Sequence, residues 1–339
     1  MTRKLIASLF LLFLAACSPA QPVFYYIKIA NGISLNLARQ PGPDQPLGQV
    51  PLSLPAGCGF WSLNPGPGSS RFAVELACPF GTVTYLLDGA TGKFRALIDD
   101  PQLDYRFLAW HPNGGSIYLK AGTLSSPRIT RLDFVTGWQR DLPISPFVYD
   151  LDVSPDGKSL LFSLTPGLGL GSETWVSDEN GGKAQKLWSD PQNIFGPARF
   201  SPDGKWIAFI LSPDSTDMNP AGQLWQMDVR GGNARLIGAA DAGRGFAPLW
   251  SPDGAWIAFV GPKKAGEAES SFLSFYNMKT GLVTVTDAIV ADAPAWKFDS
   301  AGVYFTAAGN DTMNVMFYDL SASRADLLLS GACCAGWIH

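Results

Sequence analysis

Histidine is nearly absent from this chain, with only His111 and His339 among 339 residues. That scarcity works against imidazole acid–base catalysis and against histidine-rich metal sites. No Gly-x-Ser-x-Gly elbow occurs, so the nucleophile of an α/β-hydrolase domain is missing. Basic residues do not outnumber acidic ones: 25 Lys and Arg stand against 29 Asp and Glu, a formal charge of −4. Nucleic-acid binding needs a basic footprint, and there is none. The apolar run Leu5 to Leu14 is too short to span a bilayer as a mature helix. Cysteines number five and are not paired at metal-ligand spacing, so no zinc site and no cofactor is expected.

Glycine and proline, by contrast, are plentiful at 36 and 26 residues, and they fall in periodic turns instead of one low-complexity block. The stretch Phe200 to Phe209 reads Phe-Ser-Pro-Asp-Gly-Lys-Trp-Ile-Ala-Phe, and it recurs at Trp250 to Phe259 with a looser copy at Val153 to Phe162. Proline presets φ for a type I turn, aspartate tolerates the next position, and glycine takes the left-handed one. Each copy is a hairpin seed that cannot bury its own faces alone.

The residue two before each turn proline marks an inner strand. These markers are Trp110, Val153, Phe200 and Trp250, with Trp296 before a degenerate turn and Trp61 opening a stretched version. They recur every 43 to 50 residues. Four short strands per period of roughly that length make one blade of a β-propeller. More polar outer hairpins follow each marker, as in Leu224 to Asp228 with Gly231-Gly232. Val23 to Leu54 reads as three strands lacking a first, and Cys334 to Ile338 as a first strand lacking the rest, with Trp337 in the marker slot. Setting the last strand beside the first three removes the open edges of a split blade. The expectation is an all-β, seven-bladed propeller, with six blades as the alternative. The marker aromatics are read as core wedges between inner strands, and not as a stacking platform unless exposed.

Residues 1–16 form a cleaved leader: Thr2-Arg3-Lys4, the apolar run, then Leu14-Ala15-Ala16-Cys17, which looks like a bacterial lipobox. Cys17 would be lipidated, residues 17–22 would be a tether, and residues 23–339 one propeller domain. The acyl chains would hold the protein on a bilayer. An exported chain can keep disulfides. Cys58 precedes the first strand of its blade and Cys78 follows the second, so antiparallel pairing predicts a Cys58–Cys78 bond. Cys333 and Cys334 remain as thiols, a strained vicinal pair, or cross-blade partners.

The repeated Ser-Pro-Asp-Gly-Lys-x-Ile-Ala-Phe, followed by a strand ending in Asp and then Gly-Gly, resembles TolB-type propeller repeats. The match is strongest over Phe200 to Ile237 and Trp250 to Val260. TolB carries a further N-terminal domain before six blades, for which this chain has no room, so a propeller alone is expected. The resemblance implies a protein-binding or scaffold role in the cell envelope. The function expected is therefore a membrane-tethered, extracytoplasmic, non-enzymatic, monomeric scaffold for an envelope or extracellular protein. The alternatives are small-ligand or cation binding in the central channel, or a carboxylate-based hydrolase or lyase. Loops leading into the inner strands converge at one channel mouth, and they carry the candidate ligand face: Tyr105, Arg106, Tyr149, Asp150, Phe195, Arg244, Phe246 and Asp292. The turn residues Asp156, Asp203 and Asp253 are expected to be structural.

Overall fold

The Ser-Pro-Asp-Gly turns close as their chemistry dictates. Gly157, Gly204 and Gly254 donate their N–H groups to the carbonyls of Ser154, Ser201 and Ser251 at 2.8, 2.9 and 2.8 Å. All three glycines have positive φ, from 68° to 74°, where a β-carbon would be strained. Each serine hydroxyl donates to the turn aspartate at 2.6–2.7 Å and accepts the N–H five residues on, from Ser159, Trp206 and Trp256. Hydrogen bonds from Ser154 and Ser201 hold the carboxyls of Asp156 and Asp203 below the usual carboxylate range. The turn aspartates are staples of the hairpin. His111 takes the serine position in its own turn. Its Nδ1 accepts the Asn113 N–H at 3.3 Å, its Nε2 lies 3.2 Å from the Gly157 carbonyl, and it is buried.

The computed structural model describes residues 22–338, apart from 29–31, 40–42, 45, 80, 98–103, 124–125, 217–220, 242–245, 263–270 and 311. The expected leader and Cys17 lie outside these residues. Among the described residues there is no helix. Strands β1 (Val23–Lys28), β2 (Ser34–Ala38) and β3 (Pro46–Pro51) form an antiparallel run. Next come the meanders β4 (Gly59–Pro65), β5 (Arg71–Cys78), β6 (Gly81–Asp88), β7 (Phe94–Ala96) and β8 (Asp104–Trp110), β9 (Ser116–Thr123), β10 (Ser126–Asp133), β11 (Gln139–Asp141). One parallel bridge, Val83 to Tyr105, joins these two into a single eight-stranded sheet. Four-stranded antiparallel sheets follow: β12 (Val148–Val153), β13 (Ser159–Leu164), β14 (Ser172–Asp178), β15 (Gln185–Asp190); then β16 (Asn193–Phe200), β17 (Trp206–Pro213), β18 (Ala221–Asp228), β19 (Arg235–Asp241). The next two are β20 (Leu249–Trp250), β21 (Trp256–Gly261), β22 (Phe272–Asn277), β23 (Val283–Ile289) and β24 (Ala295–Trp296), β25 (Gly302–Ala308), β26 (Met313–Asp319), β27 (Arg324–Ser330). The final strand, β28 (Ala332–Ile338), returns to pair with β1, Phe24 opposite Trp337. This is the all-β arrangement of antiparallel sheets that a propeller requires.

In the clearest repeats the second strand is apolar on both alternating faces. Ile207 to Leu211 of β17 and Ile257 to Val260 of β21 are buried throughout, the condition of a strand covered on both sides. The marker aromatics end the inner strands and reach across to the preceding one. The indole N–H groups of Trp110, Trp250 and Trp296 donate to the carbonyls of Asn64, Arg199 and Leu249 at 3.1, 3.1 and 2.9 Å. Asn64 precedes Pro65, so Pro65 holds the marker slot of its sheet. The assignment of Trp61 to that slot is corrected: Trp61 lies mid-strand and is 70% exposed. The closing seam is aromatic, with the Trp337 ring 5.4 Å from Phe24 and 4.9 Å, edge-on, from Phe298. Cys58 and Cys78 are joined in a disulfide, their Cα atoms 4.2 Å apart.

Trp337→Ala should therefore cost about 3–5 kcal/mol of unfolding free energy, as a large buried ring is lost. Trp250→Phe, which removes one indole hydrogen bond and little area, should cost about 1 kcal/mol. Urea unfolding of the two variants checks the difference; equal costs would show that the closing strand is not under greater load.

Candidate functional site

In each sheet the inner strand has its main partner on one edge, and its other edge faces the axis around which successive inner strands lie. Those strands are β4, β8, β12, β16, β20, β24 and β28. Several of them are bulged. The register slips at Trp61 on β4, at Leu108 on β8, at Tyr149 on β12, between Phe195 and Ala198 on β16, and at Cys334–Ala335 on β28. A bulge bends its strand and re-aims the extra side chain.

Two of these bulges expose an aromatic ring. Trp61 is 70% and Tyr149 is 50% exposed. Between them on β8 stands Arg106, whose side chain is 62% exposed. Hydrogen bonds set all three at one level. On β5, Glu75 accepts the Ser62 hydroxyl at 2.7 Å and the Phe107 N–H at 3.1 Å, which aligns β4 with β8. On β9, Lys120 pairs in register with Arg106 and donates to the Val148 carbonyl at 3.2 Å, which aligns β8 with β12. Burial, then the nearby Arg106 charge, lowers the Lys120 pKa.

Further along β12, Asp150 and Asp152 alternate onto one face of the strand. Asp150 accepts the Ala198 N–H at 3.1 Å and the Arg199 guanidinium at 2.5 Å, and Asp152 accepts the Phe200 N–H at 2.8 Å. The Asp150 and Arg199 side chains remain 17% and 27% open to solvent. Burial pushes the Asp152 carboxyl up to about 6, only partly offset by Arg199 and the Phe200 N–H. Burial works against the Arg199 charge, but Asp150 and Asp152 outweigh it and raise its pKa. Two carboxylates and one guanidinium thus share a channel wall, one of the carboxylates being able to exchange a proton near neutral pH.

Of the expected ligand face, Arg106, Tyr149 and Asp150 fall together here. Tyr105 and Phe195 are corrected to core residues. Strands β8 and β16 begin earlier than the loop reading allowed, so alternation turns both rings inward; Tyr105 is 1% exposed, and Phe195 stacks on Phe209 at 4.1 Å. Phe246 is half-buried, packed against the core cluster that includes Ala258, Val260 and Phe275. Arg244 lies outside the described residues. Asp292 is half-buried and accepts the Cys334 S–H at 3.2 Å. Trp61, Lys120, Asp152 and Arg199 were not on the sequence list. The pair Asp150-Leu151-Asp152 carried a readable signal, because period-two spacing faces both carboxylates one way.

No protein-family model matches the chain, and no curated protein matches it. Solved structures do. TolB from Acinetobacter baumannii is 19% identical, with a TM-score of 0.52, over 93% of this chain and 82% of that one. An oligogalacturonate lyase in complex with manganese is 14% identical, with a TM-score of 0.61, over 91% and 84%. A puromycin hydrolase is 16% identical, with a TM-score of 0.63, over 91% of this chain but only 52% of that one. These likenesses show a TolB-like β-propeller fold. The expectation of a protein-binding scaffold is overturned: it rested on the resemblance to TolB, and the same fold is shared with an oligogalacturonate lyase and a puromycin hydrolase.

With a folded pKa of about 6 against about 3.9 unfolded, the protonated Asp152 carboxyl is favoured by folding. Its contribution to stability is complete below about pH 4 and is lost as pH rises through about 6. Asp152→Asn should flatten the stability profile across that window while leaving the more acidic limb unchanged. Urea midpoints taken at intervals from about pH 4 to pH 7 check this; a profile identical to wild type would remove Asp152 as the titrating group.

Proposed function

We propose that this chain is a carboxylate-based enzyme of the lyase or hydrolase kind, acting on an acidic oligosaccharide held at the channel mouth. The observation that carries this reading is the exposed trio Trp61, Arg106 and Tyr149, level with one another on three consecutive inner strands. Exposed indole and phenol rings offer flat apolar faces with a polar handle, suited to a sugar ring. An exposed guanidinium between them pairs with a carboxylate in a forked geometry. Below the trio, Asp152 is ionised at neutral pH yet close enough to its pKa to serve as a general base. In an elimination it would take the proton α to the substrate carboxylate, while a nearby guanidinium holds the developing negative charge.

The lyase likeness supports this reading more than the hydrolase one, because it spans 84% of the lyase and only 52% of the hydrolase. The lyase structure holds manganese. Among the described residues of this chain, no three His, Cys, Asp or Glu side chains are grouped to bind a metal ion, so no step is routed through one. The hydrogen bonds that tie Asp150 and Asp152 to β16 favour a second reading, in which the same mouth binds an acidic ligand without turning it over.

We further propose seven blades, an extracytoplasmic location and a lipid anchor at Cys17. The meanders β4–β7 and β8–β11, counted separately because one bridge joins them, support the blade number. The Cys58–Cys78 disulfide supports an oxidising compartment.

The test is an assay of the purified protein on uronate-containing oligosaccharides, following both the absorbance of an unsaturated product and new reducing ends. Turnover is expected, with Trp61→Ala and Arg106→Glu each raising KM about tenfold or more. Asp152→Asn should lower kcat and leave binding intact. Binding without turnover selects the second reading; neither binding nor turnover overturns both.

A further inference from the structure

Cys333 and Cys334 open the closing strand, and both are free thiols. Their Sγ atoms face one another in direct contact. Two features bring them together. The bulge on β28 breaks the alternation that would send adjacent side chains to opposite faces. Cys334 also adopts a left-handed backbone, φ 58°, which non-glycine residues seldom visit. Around the pair, the Asp292 carboxylate accepts the Cys334 S–H at 3.2 Å, and the Thr306 hydroxyl accepts the Cys334 N–H at 3.2 Å. Cys333 is buried, and Cys334 is half-buried at the channel entrance beside Asp292.

We propose that Cys333 and Cys334 are a modification site: a dithiol that closes reversibly to a vicinal disulfide by exchange with a small disulfide, releasing Asp292 from its thiol partner. The more accessible Cys334 gives up its proton and attacks one sulfur of the donor, expelling one thiol. Cys333 then attacks the Cys334 sulfur of the mixed disulfide and expels the second. Two thiols and one donor disulfide become one protein disulfide and two small thiols, so protons and electrons balance. The ring so formed is strained, since adjacent Cα atoms are about 3.8 Å apart across a trans peptide and disulfides usually span about 4.4–6.8 Å. Strained disulfides are readily reduced again, which makes the step reversible. Hydrogen bonding to Cys333, burial and the Asp292 charge all hold Cys334 as the thiol, so exchange is slow at rest. Closure would leave the Asp292 carboxylate with the Ala293 N–H, 2.7 Å from Oδ1, and free its Oδ2.

The experiment incubates the full purified chain with glutathione disulfide, blocks remaining thiols with N-ethylmaleimide, and analyses the tryptic peptide that follows Arg324 by mass spectrometry. The expected peptide has lost two hydrogens, carries no maleimide, and regains both sites after mild thiol reduction, while Cys58–Cys78 stays joined. Asp292→Asn should react several-fold faster at neutral pH, because the charge that opposes the Cys334 thiolate is gone. Two maleimides after prolonged exposure, a lasting glutathione adduct on either cysteine, or an unchanged rate in the Asp292 variant would each overturn the proposal.

Discussion

An inner strand of this fold has a row of backbone groups with no strand to pair them, and the structure depends on how those groups are satisfied. An unpaired N–H or C=O away from water is costly. Here the neighbouring sheets supply the partners from side chains. Indole N–H groups of Trp110, Trp250 and Trp296 cap carbonyls of the preceding inner strand. Carboxylates of Glu75, Asp150 and Asp152 take N–H groups of the following one. In both kinds of bond the donor belongs to the later strand and the acceptor to the earlier one, but the indoles reach back and the carboxylates reach forward, so each inner strand is held from both sides. The pairing of β1 with β28 lets that arrangement continue through the seam.

The same constraint concentrates chemistry near the axis. Carboxylates brought in to satisfy backbone donors are desolvated there, which is why the Asp152 carboxyl titrates near neutrality while the turn aspartates are held low. Bulges in the inner strands leave side chains that fit neither the strand ladder nor the core between sheets. Trp61 and Tyr149 are such residues. Architecture and site thus share a cause. A strand edge that cannot be paired by another strand is managed partly by polar side chains and partly by irregularity, and both remain within reach of a ligand.

Much of the architecture could be read from spacing. A turn that needs proline, aspartate and glycine in order, repeated at an even interval, leaves few alternatives to stacked antiparallel sheets. The Cys58–Cys78 bond followed from where a hairpin brings its ends together, and the pairing of Trp337 with Phe24 from the complementary shapes of the two ends. The site was less legible. Tyr105 and Phe195 looked like mouth residues because strand starts were set too late, and one residue of error exchanges core for solvent in a period-two element. Trp61 erred the other way. It looked like a wedge because tryptophans elsewhere in the repeat are wedges, and only the bulge shows that it is not.

The residue order by itself determined the local turns, the all-β class and the repeat, because these depend on φ preferences and on contacts within a few tens of residues. It also contained the Asp150–Asp152 pair, whose common face follows from strand geometry alone. Only the tertiary structure decided that Arg199 lies between those carboxylates, that Arg106 stands level with Trp61 and Tyr149, and that Cys334 meets Asp292. Those neighbours come from segments far apart in the chain. Their meeting depends on where each strand slips its register, and slippage is settled by packing against the next sheet, which no local pattern encodes.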